Sequence, residues 1–212
     1  MSRNSRNQNR NKQPTRPGNS KATKLANKLG EVRIIGGDWR GRKLPVLNAE
    51  GLRPTSDRVR ETLFNWLQFE IPGAKCLDVF AGSGVLSFEA LSRGAKQATL
   101  LELGATNAKQ LKQNLQTLNV SNASVEQVDS LQWLAQMAKE PFDMVFLDPP
   151  FHKEFMQNAV DLLFNNGYLS DQAWLYLEQE KQIDWPVLPG GWVCHREKTT
   201  SQVRFGLFVK KA

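Results

Sequence analysis

The sequence predicts an α/β fold in which short strands alternate with helices and form a mostly parallel sheet. From Lys75 onward, five apolar runs (CLDVF, ATLLEL, SVEQVD, FDMVFLD and AWLYLE) are separated by segments with helical periodicity. The run MVFL is apolar without interruption, as expected of a strand that helices cover on both faces. With 212 residues, 40% of them hydrophobic, the chain can form one domain with its own core.

The N-terminal segment, residues 1–30, differs from the rest in composition and is expected to be a disordered basic tail. The chain has a net charge of +7, and this segment holds eight cations and no acidic residue. It is rich in Asn, Ser, Gln and Pro, so it cannot bury enough apolar surface to fold. A tail of this kind can hold a polyanion, although a solubilising tail and an organelle transit peptide have a similar composition.

The remaining composition narrows the class of protein. No apolar run approaches the roughly 20 residues of a membrane span, and the N-terminus lacks the apolar segment of a secretory signal, so we expect a cytoplasmic protein. The two cysteines, Cys76 and Cys194, are far apart and follow no metal-ligand spacing. We therefore expect both to be small apolar residues, and we expect no metal site.

A hairpin and a helix are predicted between the tail and the sheet, in a folded unit that spans residues 31–212. Residues 31–47 alternate apolar and polar residues around Gly36 and Gly37, which indicates a short hairpin. The segment RPTSDRVRETLFNWLQF then offers helix-cap residues at positions 55–57 and one apolar helical face. The final stretch, WVCHREKTTSQVRFGLFVKK, predicts two antiparallel strands around a polar turn.

The segment CLDVFAGSGVLSFEAL predicts a strand, a tight turn and an amphipathic helix in direct succession. The strand ends at Asp78, and the turn is formed by residues 81–84. Glycines allow the backbone to approach a ligand closely, and the start of the helix presents unpaired N–H groups beside it. The pattern indicates a cofactor site, although a lone Gly-x-Gly also occurs in dinucleotide folds and in plain turns.

Acidic residues end the next two predicted strands. Glu102 follows the turn by roughly 20 positions, where a carboxylate can accept both hydroxyls of a ribose. Asp129, followed by Ser130, closes the third strand and could recognise an adenine, cap the following helix, or do both. Because the carboxyl ends of parallel strands share one edge of a sheet, these acids predict a ligand site along that edge.

The fourth strand ends in Asp148, Pro149, Pro150 and Phe151. Proline stops strand pairing and restricts the residue before it, so the backbone carbonyls are held at fixed angles. The carboxylate and a fixed carbonyl can accept both hydrogens of an exocyclic amine on a nucleobase, while Phe151 stacks on the ring. A plain turn is the alternative, but the position of residues 148–151 beside three other acidic strand ends favours a catalytic site.

These motifs resemble a known family. DVFAGSG and DPPF resemble the first and fourth motifs of class I S-adenosylmethionine-dependent amino-methyltransferases. The segments RIIGGDWRGRKLPV, GLRPTSDRVRETLFNWL and HREKTTSQVRFGLF resemble the RsmD family, whose members methylate N2 of a guanine in 16S ribosomal RNA. The resemblance covers residues 31–212 and implies a Rossmann-like fold whose seven-stranded, mostly parallel sheet has an antiparallel last strand.

The resemblance also implies the cofactor and its contacts. S-adenosyl-L-methionine is expected to place its methionine moiety around residues 78–84, its ribose on Glu102 and its adenine near Asp129. Phe80 departs from the generic first motif, which often has glycine there, so its contact could be through the backbone or through packing alone. The expected cofactor contacts are Asp78, Phe80, Ala81, Gly82, Ser83, Gly84, Glu102, Asp129 and Ser130.

The implied partner is 16S rRNA within the small ribosomal subunit or an assembly intermediate, and we expect the protein to be a monomer. The candidate RNA contacts are Arg33, Arg40, Arg42, Lys43, Arg53, Arg58 and Arg60. The implied reaction is direct in-line transfer to a flipped base. Two alternatives remain: the same site could methylate adenine N6 or a protein glutamine, or the chain could be a non-catalytic rRNA-binding assembly factor.

Overall fold

The computed structural model describes Met1 and residues 29–47, 56–150 and 154–211. Strands β1 (Leu29–Arg33) and β2 (Lys43–Leu47) pair antiparallel, so the predicted hairpin is confirmed and starts slightly earlier than expected. Residues 2–28, which make up nearly all of the expected tail, lie outside the described residues. Two candidate site residues, Arg53 and Phe151, also lie outside them.

Seven strands form the main sheet, and each predicted apolar run supplies one of the first five. They are β3 (Lys75–Asp78), β4 (Gln97–Glu102), β5 (Ala123–Gln127), β6 (Phe142–Leu147), β7 (Leu169–Glu180), β8 (Trp192–Thr199) and β9 (Val203–Lys210). Their spatial order is β5-β4-β3-β6-β7-β9-β8, and only β9 runs against its neighbours. The mostly parallel sheet with an antiparallel last strand is therefore confirmed.

Five helices cover the two faces of this sheet within the described residues. They are α1 (Asp57–Trp66), α2 (Val85–Ser92), α3 (Ala105–Thr117), α4 (Ser130–Leu134) and α5 (Glu154–Asn165). Along β6, Met144 and Phe146 belong to one apolar core and Val145 and Leu147 to the other. This two-sided burial explains why the central run is continuously apolar.

Helix α2 is buried on every side, so the prediction of an amphipathic helix is wrong. All residues from 85 to 92 are buried, including the polar ones. The loop between β1 and β2 covers the face that would otherwise meet solvent. Ile35 N donates to Glu89 Oε1 at 2.7 Å, and Ser92 Oγ donates to Gly36 O at 2.6 Å. These bonds satisfy the polar side chains, so burial of the helix leaves them partnered.

The cysteines differ in their environment. Cys76 is buried in β3, as expected of a small apolar residue, and burial raises the pKa of its thiol far above the usual range. Cys194 is exposed on β8, so the prediction is wrong for this residue. Across the part of the chain that the structure describes, no helix is both long and apolar enough to cross a bilayer.

Candidate active site

The turn after β3 lies at the carboxyl edge of the sheet and needs its glycines. Gly82 and Gly84 have φ values of 51° and 72°, in the left-handed region that side chains disfavour. A Cβ atom on Gly84 would lie 2.4 Å from Leu111 Cδ2, so a larger residue does not fit. Ala81 N donates to Leu101 O at 2.9 Å, which fixes the turn against β4. Ser83, between the glycines, is half-buried.

Glu102 ends β4 as predicted and is fixed by the same turn. One carboxylate oxygen accepts a hydrogen bond from Gly82 N at 2.9 Å, and the other accepts one from Gly104 N at 2.7 Å. A carboxylate oxygen has two lone pairs, so both oxygens keep acceptor capacity for the hydroxyls of a ligand. The carboxylate is thus oriented before any ligand binds.

Asp78 lies at the end of β3 with only 2% of its surface exposed. Ser87 Oγ donates to its carboxylate at 2.8 Å. Burial raises the pKa of Asp78 to about 7, the Ser87 hydrogen bond opposes that rise, and the nearby charge of Glu102 adds to it. The charge of Asp78 therefore changes near neutral pH, directly beside the turn.

Replacing Asp78 with asparagine should remove a pH dependence of stability. The folded pKa of about 7 lies above the ordinary value, so the folded protein keeps a proton that the unfolded chain releases. Wild-type stability should therefore fall as the pH rises from about 4 to about 7 and then level off. Relative to the wild type, Asp78→Asn should gain roughly 4 kcal/mol at most across this range.

The measurement is the free energy of unfolding in urea at several pH values without cofactor. The exposed Asp171 provides the matched control, and Asp171→Asn should follow the wild-type pH profile. Parallel profiles for Asp78→Asn and the wild type would contradict this assignment.

Asp129 caps helix α4 and also lines the site. Strand β5 ends at Gln127, and the Asp129 carboxylate accepts a hydrogen bond from Gln132 N at 3.0 Å. The capping interpretation is therefore confirmed, and Asp129 also lines a cavity at this edge of the sheet. Ser130 is buried, and its hydroxyl donates to the backbone oxygen of Val79.

The glycine turn and three strand ends enclose a cavity of about 240 Å³, which we call the cofactor cavity. The sequence predicted many of its lining residues, namely Phe80, Gly82, Glu102, Asp129, Ser130, Asp148, Pro149 and Pro150. It missed Leu101, Leu103, Asn107, Leu131 and Phe155. Of these, Leu103 and Asn107 follow Glu102 closely, so their position after a predicted ribose contact could have identified them. Phe155 belongs to no motif, and no signal in the sequence identifies it.

The residues of the cofactor cavity fit S-adenosylmethionine. Glu102 offers oriented acceptors for a ribose, and the glycine turn leaves room for backbone approach. Leu103 is 68% exposed at the cavity and supplies apolar surface for a flat ring. Phe80 packs edge-on against Phe155 with ring centroids 6.2 Å apart, so its side chain, not only its backbone, contributes to the wall.

Asp148 also lines a second cavity of about 400 Å³, which we call the acceptor cavity. Helix α1, the end of β7 and the turn between β8 and β9 form its walls. The other lining residues are Ser56, Arg58, Val59, Thr62, Glu178, Lys198, Thr199, Thr200, Ser201, Gln202, Val203 and Phe205. Since Asp148 lines both cavities, this residue stands where their contents would meet.

A second acid, Glu178, lies beside Asp148 in the acceptor cavity. Leu147 on β6 pairs with Leu177 on β7, so the residues that follow them, Asp148 and Glu178, are neighbours at the same sheet edge. Tyr176 Oη donates to Glu178 Oε2 at 2.7 Å. Burial raises the pKa of Tyr176 well above its usual value, and the charges of Glu178 and Asp148 add to the rise. Extending the strand-end rule to AWLYLE would have identified Glu178.

Arg58 is the candidate RNA contact that lies at the acceptor cavity. It is exposed on the first turn of α1, and the exposed Lys198 of β8 lines the same cavity. Two cations at the entrance of a cavity of this size can neutralise phosphates on either side of a bound nucleotide.

The prediction that Arg60 contacts RNA is wrong, because this residue is only 1% exposed. Its guanidinium contacts Glu89 Oε1 at 2.8 Å and Arg33 O at 2.9 Å, and it also pairs with Asp57. Glu89 is itself fully buried. Arg60 therefore joins α1 to α2 and to the hairpin.

The other described candidates are exposed but lie on the hairpin. Arg33 pairs with Asp57 at 3.8 Å, and Lys43 pairs with Glu31 at 3.0 Å, both on the surface. Arg40 is exposed, and Arg42 donates to Thr117 O at the end of α3. Asn107 of that helix lines the cofactor cavity ten residues earlier, about 15 Å away along the axis. The fold thus separates Arg42 from the part of the cofactor cavity that α3 lines.

Comparison with known proteins agrees with this geometry. The family model described as "Conserved hypothetical protein 95" matches residues 32–209. The "Ribosomal RNA small subunit methyltransferase D" of Haemophilus influenzae is 54% identical over 192 residues, covering 89% of this chain and 98% of its own length. The solved yhhF structure from Escherichia coli is 47% identical with a TM-score of 0.80, covering 86% of this chain and 99% of that chain.

The same fold extends to more distant methyltransferases. A T. thermophilus 16S rRNA N2 G1207 methyltransferase, solved with AdoMet and guanosine, is 20% identical with a TM-score of 0.63. The alignment covers 88% of this chain and 51% of that chain. The fold of this chain is that of the class I methyltransferases. Because the family model spans most of the sequence and the H. influenzae relative aligns over nearly its whole length, the chain belongs to the RsmD family.

Proposed function

We propose that the protein transfers a methyl group from S-adenosylmethionine to the exocyclic N2 of a guanine in small-subunit ribosomal RNA. The observation that carries this proposal is the position of Asp148 in the walls of both cavities, between a cofactor pocket and an open acceptor pocket. The H. influenzae relative is named as a methyltransferase of small-subunit ribosomal RNA, which supports that RNA as the substrate.

The bound cofactor would supply an electrophilic methyl group on a positively charged sulfur. On the acceptor side, the Asp148 carboxylate and the rigid backbone at Pro149 accept the two hydrogens of the amine. This directs the nitrogen lone pair toward the cofactor cavity. The new carbon–nitrogen bond would form as the carbon–sulfur bond breaks with its electron pair left on sulfur, and the nitrogen would then release one proton to solvent. Preorganised acceptors of this kind are among the largest contributions to enzymatic rate enhancement.

The target base must leave its stack to reach Asp148. Extrusion costs on the order of a few kcal/mol, and contacts in the acceptor cavity offset part of that cost. Phe205 lies in the cavity wall, and Phe151 is expected to stack on the base. Arg58 and Lys198 hold the flanking phosphates. We further propose that the enzyme acts as a monomer in the cytoplasm, on RNA within a small subunit or an assembly intermediate.

Labelled methyl transfer tests this proposal against its competitors. Small subunits from a strain lacking the gene, naked DNA and release factors are incubated in parallel with enzyme and tritiated S-adenosylmethionine. We expect label in the small-subunit RNA, recovered after digestion as N2-methylguanosine and located by mass spectrometry. N6-methyladenosine as the product, or label confined to DNA or protein, would overturn the proposed acceptor. Failure to bind the cofactor in isothermal titration would favour a non-catalytic assembly factor.

A further inference from the structure

The acceptor cavity contains a buried carboxylate that the methyl transfer itself does not need. Glu178 is 6% exposed, lines the cavity and neighbours Asp148 at the same edge of the sheet. Burial of a carboxylate is costly unless other groups hydrogen-bond to it. The Tyr176 hydroxyl donates to one of its oxygens and thereby fixes the direction of the side chain. Both acidic residues thus line the cavity where an acceptor base would lie.

The two acids match the chemistry of one nucleobase edge. On the Watson–Crick edge of guanine, the N1–H donor stands directly beside the N2 amine. Two neighbouring carboxylates, Asp148 and Glu178, can therefore accept hydrogen bonds from these two neighbouring donors. Adenine has an unprotonated N1 at the corresponding position, whose lone pair would face a carboxylate. Enzymes that act on flipped bases recognise them by hydrogen bonds to this edge.

We propose that Glu178 is a specificity-determining residue, which accepts a hydrogen bond from N1–H of the guanine whose N2 amine is bound at Asp148. This inference rests on the proposed function. A carboxylate can accept several hydrogen bonds at once, since its two oxygens together offer about four lone-pair sites. A base without the N1 proton leaves a buried acceptor opposite another acceptor, which is a strongly disfavoured contact.

A purine with the reactive amine but without the N1 proton separates recognition from chemistry. Such a base is 2-aminopurine. Small subunits are reconstituted from RNA with either guanine or 2-aminopurine at the methylated position, and kcat/KM is measured for both. We expect the wild-type enzyme to prefer guanine by roughly 100-fold or more. The variant Glu178→Gln should reduce that preference at least tenfold, because its amide can donate to an unprotonated N1.

The change in preference between enzymes is the decisive quantity. Because 2-aminopurine also lacks the guanine O6, part of the wild-type preference has another origin, but that part is common to both enzymes. Glu180→Gln, two residues further along the same strand, is the matched control and should keep the wild-type preference. The cofactor dissociation constant of each variant reports whether its cofactor site is intact.

The outcomes distinguish this inference from the proposed function. If the wild type methylates a base other than guanine, or no RNA at all, the proposed function is wrong. If the wild-type enzyme methylates guanine N2 but methylates 2-aminopurine equally well, only the proposed role of Glu178 is wrong. This comparison uses the wild-type enzyme alone and needs no variant. An unchanged guanine preference in Glu178→Gln would likewise refute that role alone.

Discussion

Replacing Asp148 with alanine should reduce methyl transfer by on the order of 10³-fold or more while leaving cofactor affinity nearly unchanged. Asp148 lines both cavities, and we expect its carboxylate to orient the acceptor amine there. The expected cofactor contacts at Glu102 and in the glycine turn remain in this variant. A loss of this size corresponds to about 4 kcal/mol of transition-state stabilisation.

Single-turnover transfer and isothermal titration with S-adenosylmethionine measure these two effects separately. Asp148→Asn keeps one acceptor oxygen and should fall between the wild type and the alanine variant in rate. Asp171 is an exposed acidic residue near the start of β7, and Asp171→Ala should match the wild type in both transfer rate and cofactor affinity. Near-normal turnover in Asp148→Ala would remove the catalytic role of this residue and with it the central argument for the acceptor site.

Replacing Arg60 with alanine should destabilise the protein by about 3–5 kcal/mol. Arg60 and Glu89 form an ion pair with both side chains almost fully buried. Removing the cation leaves the Glu89 carboxylate inside the core, with a weaker contact to Arg93 at 3.3 Å and a backbone donor at Ile35. Burial already raises the pKa of Glu89, and loss of the Arg60 charge should raise it further.

Urea unfolding measures this effect, and two further variants sharpen it. Arg58→Ala on the same helix removes an exposed cation and should change stability by no more than about 0.5 kcal/mol. Replacing both partners, as Arg60→Met with Glu89→Leu, should recover most of the loss, because apolar pairs often replace buried ion pairs at little cost. Stability of Arg60→Ala within about 1 kcal/mol of the wild type would contradict the structural role of the pair.

Local patterns were sufficient for the elements that carry the site. Three acidic residues and the glycine turn follow from residue periodicity and from backbone requirements that act over a few positions: Asp78 and Glu102 end their strands, and Asp148 comes directly after β6. The rule that parallel strands place their carboxyl ends on one edge then brought these residues together, and the cofactor cavity contains most of the predicted contacts.

Contacts between residues far apart in the sequence could not be predicted from local patterns. Arg60 looks like a solvated cation beside Arg58, and only the covering of α2 by α1 and the hairpin places it against Glu89, 29 residues away. The same covering buries α2 on all sides and so removes the amphipathic face that was expected. Cys194 is exposed because β8 forms the edge of the sheet.

The sequence by itself determined the α/β class, the strand-end acids, the glycine turn and the DPP corner, because each depends on neighbouring residues and on fixed backbone geometry. Only the tertiary structure decided that Asp148 is shared by two cavities, that Glu178 stands beside it, and that Arg60 is structural. Those facts depend on which strands and helices become neighbours. That arrangement is set by burial of the whole chain, and no short segment encodes it.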